Sequence, residues 1–195
     1  MSKENLRKQY QDKRKNLDPN FMKKSEDLFY VQWKKLKIRK IKKIALYWPI
    51  KNEASPLKII EDLKENELQV YLPCLDESKK VQCLIFREFV SEKMMQLNRY
   101  GILEPTDSSP IKTEALDLIV IPCVCFDLKG YRIGMGKGFY DFTLQNNKER
   151  PLLLTLAYEF QMIKDALPKK HDVATDAVLT ERNLYKISDY SKKAL

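Results

Sequence analysis

Histidine is almost missing from this 195-residue chain, with His171 the only one, and the four cysteines (Cys74, Cys83, Cys123, Cys125) include no C-x-x-C pair. Zinc sites draw on those two residue types at short spacings, so the composition argues against one. Cys123 and Cys125, two apart, read as reduced packing residues sharing one face of a strand end, as expected of a cytoplasmic protein. Long apolar runs are lacking too. None approaches the roughly 20 residues of a membrane span, and the opening MSKENLRKQYQDKRK has no apolar core of a secretory signal. No membrane partner is therefore expected. Acidic residues are outnumbered, 27 against 36 Lys and Arg, for a net charge of +9. That excess suits nucleic acid and equally suits polyanionic small substrates, so it does not choose between them. Hydrophobic content of 44% is ordinary for a globular protein, and the length predicts one domain over 1–195. Glycine is scarce, 5 in all, yet four fall between Gly130 and Gly138.

Those glycines sit in Asp117–Leu144, DLIVIPCVCFDLKGYRIGMGKGFYDFTL. Leu118, Ile119, Val120 and Ile121 form a short run that is apolar on both faces, which reads as a buried parallel strand. Pro122 cannot donate to a ladder and marks its carboxyl end. The turn Asp127–Gly130 follows, then Gly134, Gly136 and Gly138 at two-residue intervals with Lys137 between the last two. From Phe139 onward the pattern reads as the first turns of a helix. A strand, a glycine-rich loop with a lysine, and a helix make a phosphate cradle. Glycines let N–H groups reach an anion without a Cβ in the way, and a helix amino end adds unpaired N–H groups. Lys137 would supply a mobile cation to the phosphoryl group being moved, and Asp141 a hard oxygen ligand for magnesium. Phe139 stands where the Walker pattern needs Ser or Thr. The dinucleotide fingerprint fits poorly as well, since the glycines lie two-thirds along the chain. The same glycines also suit a plain tight turn, and the residues alone leave both readings open.

Around that stretch, helical and strand patterns alternate. Residues 2–16 read as a basic helix with Lys3, Arg7, Tyr10 and Arg14 on or near one face. Asp18 caps a second helix over 19–36, with Pro19 in its first turn. The tract Lys34–Lys43 lacks the aromatic interleaving of an RNA module and reads as a solvated helix end. Strands are expected at 42–48, 69–73, 81–86 and 152–157. A helix is expected at 56–66 capped by Ser55, a polar turn at Asp76–Lys80, a short helix at 160–167, and a peripheral tail from Tyr185. The predicted class is α/β: a single three-layer domain, its mostly parallel sheet flanked by helices. The phosphate loop follows a central strand, and the site lies at the strands' carboxyl ends.

The run Tyr131-Arg-Ile-Gly-Met-Gly-Lys-Gly-Phe-Tyr-Asp141, preceded by Ile121-Pro122 and Phe126-Asp127, resembles the signature of the 5-formyltetrahydrofolate cyclo-ligase (methenyltetrahydrofolate synthetase) family. Gly101-Ile-Leu-Glu-Pro105 and the segment His171–Glu181 resemble two further signatures, in the same order. The resemblance implies cyclisation of 5-formyltetrahydrofolate to 5,10-methenyltetrahydrofolate, with ATP as co-substrate and magnesium as cofactor. It implies that Lys3 and Arg7, a Lys-x-x-x-Arg pair, contact the ATP phosphates together with Gly134, Met135, Gly136, Lys137, Gly138, Phe139, Tyr140 and Asp141. Glu53, Phe139, Tyr140 and, more loosely, Trp48 would hold the folate. Asp141 and Asp176 would hold magnesium, and Lys137 and Arg132 would be catalytic. Small molecules are then the partners, with no nucleic acid, and the protein is expected to be a monomer. Read without the family, Glu53 is a solvent-facing loop acid, Lys3 and Arg7 a solvated face, and Asp172 a turn or partner residue. Glu104 and His171 take structural roles as readily as functional ones.

Two departures stand out. Cys123-Val124-Cys125 replaces the small residues of many relatives, and Phe139 stands where relatives often carry tyrosine. Neither removes a phosphate or metal contact. In the implied mechanism, phosphorylation of the formyl oxygen creates a leaving group, ring closure by a folate nitrogen follows, and phosphate departs. Positioning and charge neutralisation do most of that work. The competing expectations are a basic nucleic-acid-binding protein and a relative that binds folate or ATP without closing the ring.

Overall fold

A computed structural model describes residues 1–36, 41–78, 81–145, 150–189, 191 and 195. In chain order its elements are α1 (Lys3–Lys15), α2 (Pro19–Lys34), β1 (Lys43–Ala45), α3 (Leu57–Glu65), β2 (Gln69–Leu75), β3 (Leu84–Glu88), β4 (Met95–Leu97) and β5 (Leu103–Pro105). Then come β6 (Leu118–Pro122), β7 (Cys125–Phe126), β8 (Arg132–Ile133), α4 (Phe139–Leu144), β9 (Leu152–Leu156), β10 (Ala177–Leu179) and β11 (Leu184–Lys186). Seven strands form one sheet in the order β11-β10-β9-β6-β1-β2-β3. The five from β10 to β2 run parallel, and β3 and β11 close the edges antiparallel.

The apolar run of β6 lies at the centre of this sheet, and its period of two divides its side chains between two cores. Leu118 and Val120 pack with Phe29 and Trp33 of α2 and with Ile59, Ile60 and Leu63 of α3. Ile119 and Ile121 pack on the other face with Leu144 of α4 and Phe86 of β3. Helices thus cover both faces, which is why β6 carries no polar alternation. α1 lies apart, burying Leu6 and Tyr10 against Val124, Cys125 and Ile133 of the β7–β8 hairpin region. Its ends are chemically marked: Ser2 accepts from the Asn5 N–H at 3.2 Å, and Lys13, Arg14 and Lys15 fill the last turn.

Several expected boundaries move. The 42–48 strand pairs only over Lys43–Ala45, although Leu46 still donates to the Tyr71 carbonyl at 2.9 Å. β2 runs on to Leu75, and its partner starts at Leu84 rather than at Val81. The α2 cap at Asp18 forms on the Asn20 N–H (3.2 Å), and the helix ends at Lys34. The 56–66 helix spans Leu57–Glu65, and Ser55 Oγ accepts the Leu57 N–H at 3.4 Å. The 160–167 helix does not form beyond a single 3-10 turn at Glu159–Gln161. There Gln161 spends its side chain on the Tyr158 N–H (2.7 Å) and on the Cys123 and Val124 carbonyls (3.0 and 2.7 Å), tying the chain to the end of β6. Cys123 and Cys125 do not share a face: β6 has ended at Pro122, and the two thiols enter different clusters. The glycine loop follows the small β7–β8 hairpin, not the central strand directly. Parts of three expected features lie outside the described residues: 37–40 of the cationic tract, 79–80 of the polar turn, and 190 and 192–194 of the tail.

Candidate active site

A cavity of about 470 Å³ opens at the carboxyl ends of β1, β2 and β6, within the roughly 300–1,000 Å³ of small-molecule sites. The chain leaving β1 lines it with Tyr47, Trp48, Ile50 and Glu53, and the chain leaving β6 lines it with Pro122 and Cys123. Arg132, the loop Gly134–Gly138 and the first turn of α4 form one wall, and Lys3 and Arg7 reach in from α1. The β4–β5 hairpin contributes Asn98, Tyr100, Ile102 and Glu104. Six cations (Lys3, Arg7, Lys51, Arg132, Lys137, Lys169) line it against four carboxylates (Glu53, Glu104, Asp141, Asp172), which suits an anionic occupant.

The glycine loop is shaped by what surrounds it. Gly136 has φ +92°, and a Cβ there would sit 3.2 Å from the Arg7 guanidinium carbon. Gly138 caps α4 at φ +71°, where a Cβ would meet the Phe142 ring at 2.8 Å. Both positions hold left-handed backbone that favours glycine, and at Gly138 a Cβ would also force the Phe142 ring to shift. Arg7 Nε donates to the Gly134 carbonyl at 2.9 Å, so α1 holds the loop's first turn. Lys137 is exposed at the loop tip, 5.9 Å from the Tyr100 ring centre, and exposed Met135 accepts from Gln11 Nε2 at 3.1 Å. Phe139 meets Tyr100 edge-on, with ring centres 5.8 Å apart.

Arg132 is fixed at both ends of its fork, by the Val173 carbonyl (2.7 Å) and by Asp141 Oδ1 (3.1 Å). Asp141 Oδ1 also accepts the Val173 N–H at 3.1 Å. Lys3 is paired with Asp172, whose carboxylate also accepts the Lys169 N–H at 2.6 Å. Burial works against that carboxylate, yet the Lys3 bond and the Lys169 N–H hold its pKa below the usual range. Asp172, read from sequence as a turn or partner residue, is thus both.

Glu53 is not a solvent-facing acid. It is 8% exposed, its Oε2 accepts the Ile50 N–H at 3.2 Å, and Arg14 lies 3.6 Å from Oε1. Burial pushes its carboxyl up, opposed by Arg14, the Ile50 N–H and Lys51. Trp48 packs on Phe89 with ring centres 5.8 Å apart. Burial also raises the hydroxyl pKa of Tyr140. Glu104 braces the hairpin to β2: its Oε1 accepts the Leu75 N–H at 3.0 Å and Asn98 Nδ2 at 2.6 Å. His171 stacks on Phe142 at the cavity edge, ring centres 6.3 Å apart.

Asp176 is not brought to Asp141. It lies at the amino ends of β9 and β10, 2% exposed, where it accepts the Leu153 N–H (2.9 Å) and a two-pronged pair from Arg150 (2.5 and 3.0 Å). Both its oxygens are spent on the fold, and it does not line the cavity. Among the described residues, no group of three or more His, Cys, Asp or Glu side chains is gathered as a metal site. The remaining sequence-selected residues all line this cavity: Lys3, Arg7, Trp48, Glu53, Arg132, Gly134 through Gly138, Phe139, Tyr140 and Asp141. Sequence reasoning did not select Tyr47, Lys51, Tyr100 or Lys169 for the site, nor the pairing of Arg14 with Glu53. The signal for Arg14 was its register: it follows Leu6 and Tyr10 at four-residue steps, a cation on a buried stripe.

Residues 1–181 match the 5-formyltetrahydrofolate cyclo-ligase family. The 5-formyltetrahydrofolate cyclo-ligase of Haemophilus influenzae is 38% identical over 136 residues, 68% of this chain and 72% of that one. The Escherichia coli protein of the same name is 31% identical over 149 residues, covering 73% and 79%. Among solved structures, the 5,10-methenyltetrahydrofolate synthetase of Aquifex aeolicus superposes with a TM-score of 0.84 at 31% identity, covering 97% of this chain and 94% of that one. The Mycoplasma pneumoniae synthetase follows at 0.75 and 27% identity, covering 93% and 99%.

Proposed function

This chain belongs to the 5-formyltetrahydrofolate cyclo-ligase family, a family of ligases, and we propose that it cyclises 5-formyltetrahydrofolate to 5,10-methenyltetrahydrofolate using ATP and magnesium. The observation that carries this reading is that a single cavity is lined by both halves of the needed chemistry. Lys3, Arg7, Lys137 and the Gly134–Gly138 backbone suit phosphates, while Trp48, Glu53, Phe139 and Tyr140 suit a flat, polar-edged ring system.

An N-formyl group resists ring closure because its oxygen is a poor leaving group. The formyl oxygen takes the γ-phosphoryl group, forming an O–P bond as the bond to ADP breaks. The neighbouring folate amine nitrogen then adds to the formyl carbon and loses its proton, and the C–O bond breaks to release phosphate. The protein's part is placement and charge. Arg132, fixed by Asp141 and Val173, is a stationary cation, and exposed Lys137 is a mobile one able to follow the moving phosphoryl group. Glu53 accepts hydrogen bonds from the amide and amine edge of the pterin. Asp141 suits magnesium, since among the described residues its hydrogen bonds fall on Oδ1 and leave Oδ2 as a hard ligand. The ion would neutralise phosphate oxygens there. Free cysteines, three of the four buried, fit a reducing cytoplasm, where we take residues 1–195 to act as one monomeric unit.

The test is a spectrophotometric assay with purified protein, 5-formyltetrahydrofolate, ATP and magnesium, following the conjugated methenyl product. Product that requires both ATP and magnesium is expected. Binding of both substrates without product would replace this reading by a non-catalytic relative, and no binding of either would end it.

A further inference from the structure

Arg14 is 1% exposed and lines no part of the cavity, yet three of its contacts end on cavity-forming backbone or side chain. Its Nε donates to the Lys51 carbonyl at 3.1 Å, its Nη1 to the Cys123 carbonyl at 3.2 Å, and Nη1 stands 3.6 Å from Glu53 Oε1. The contact is reciprocal, since Asn52 Nδ2 donates to the Arg14 carbonyl at 3.0 Å. Lys51 and Asn52 both hold left-handed backbone, φ +49° and +57°. The turn is closed locally by the Glu53 N–H on the Ile50 carbonyl at 3.0 Å, and Arg14 ties it to α1 through the Lys51 carbonyl and the Asn52 side chain. We propose that Arg14 is a positioning residue: from α1 it fixes the 50–53 loop and the Glu53 carboxylate for the folate, without touching substrate itself.

This rests on the folate-binding reading of Glu53. A buried carboxylate accepts two hydrogen bonds from a pterin edge only if it is ionised and held in one rotamer. The titratable groups facing it are Tyr47 after β1, Cys123 after β6, Tyr140 in α4 and Tyr158 after β9, with Arg14 and Lys51 as the cations. Arg14 is the larger of the two cationic influences opposing burial. Left alone, the acid would tend to take up a proton. Because α1 also carries Lys3 and Arg7, the same helix sets the spacing between the folate carboxylate and the phosphate-binding cations.

The experiment is calorimetric titration of wild type, Arg14→Met, Glu53→Gln and the double variant with 5-formyltetrahydrofolate, and separately with ATP and magnesium, each protein first shown folded by circular dichroism. Arg14→Met is expected to weaken folate binding by roughly tenfold, the scale of one lost charge-assisted contact, with ATP binding nearly unchanged. In the Glu53→Gln background the Arg14 substitution should add little, because the two act as one unit. The acid-side loss of folate binding should move to higher pH in Arg14→Met, since removing the cation raises the Glu53 carboxyl further. Equal losses for folate and ATP, or the same loss in both backgrounds, would overturn the proposal and leave Arg14 a fold residue. Glu53→Gln binding folate like wild type would overturn the Glu53 reading and this proposal with it, an outcome read from the single Glu53 variant alone. If Arg14→Met does not fold, Arg14→Lys keeps the charge but not the fork to both carbonyls. A folate-selective loss in that variant supports the proposal, and unchanged folate affinity overturns it.

Discussion

At the scale of single residues, the two aspartates that the family resemblance joined at one magnesium ion lie in different surroundings. Asp141 faces the cavity, and Asp176 is consumed by Arg150 and the Leu153 N–H at the other end of the strands. The reason is reach. Asp172, four residues earlier, lines the cavity, and four extended residues span roughly 13 Å. Matching the segment as a block could not say which of its acids lies at the cavity end. Asp176→Asn should therefore cost about 2 kcal/mol of stability, below the full penalty for a buried pair because Arg150 is partly exposed. For a chain of this length that is a fall of roughly 5 °C in Tm. Its magnesium requirement in the cyclisation assay should stay at the wild-type value. A melting curve together with a magnesium titration checks both halves, and a raised magnesium requirement at unchanged Tm would return Asp176 to the metal.

At the scale of elements, what the sequence disclosed depended on how local each signal was. β6 and the glycine loop were legible because their signals lie within a few consecutive residues: an unbroken apolar run, then glycines at two-residue intervals beside a lysine. The 160–167 helix failed because Gln161 is committed to carbonyls 37 and 38 positions away. The same holds for the β4–β5 hairpin, whose role at the cavity rests on Glu104 reaching back 29 residues to the Leu75 N–H. If that carboxylate is what holds the arm, Glu104→Ala should release the hairpin while the sheet stays intact. Amide exchange at Leu75 and at the hairpin positions Tyr100 and Ile102 should then accelerate by roughly 5- to 30-fold, corresponding to about 1–2 kcal/mol of lost local stability. Exchange in β6 and β9 should be unaltered. Acceleration spread evenly over the sheet would mean that Glu104 supports the whole fold rather than the arm.

At the scale of the whole molecule, the question is what a net charge of +9 is for. Composition alone allowed nucleic acid or small polyanions. The cavity lining narrows this, because its cations outnumber its carboxylates even after Lys3 and Arg132 are balanced by Asp172 and Asp141, which leaves four cations against Glu53 and Glu104. Arg7, Lys51, Lys137 and Lys169 remain to attract an anionic ligand. Such attraction is screened once the Debye length, about 10 Å at 0.1 M salt, shrinks towards the size of a contact. Raising salt from about 0.05 to 0.5 M should therefore increase the KM for ATP several-fold. The KM for 5-formyltetrahydrofolate should rise less, because buried Glu53 and its aromatic neighbours supply unscreened contacts, and kcat should change by less than about twofold. Duplex DNA added at the lowest salt should not inhibit. Initial rates across the salt series, with a melting curve at each salt to exclude unfolding, decide the matter. Flat KM values with a falling kcat would place the salt-sensitive charges in the reaction step instead of capture. Inhibition by DNA that vanishes steeply with salt would show that the positive surface also serves a nucleic acid.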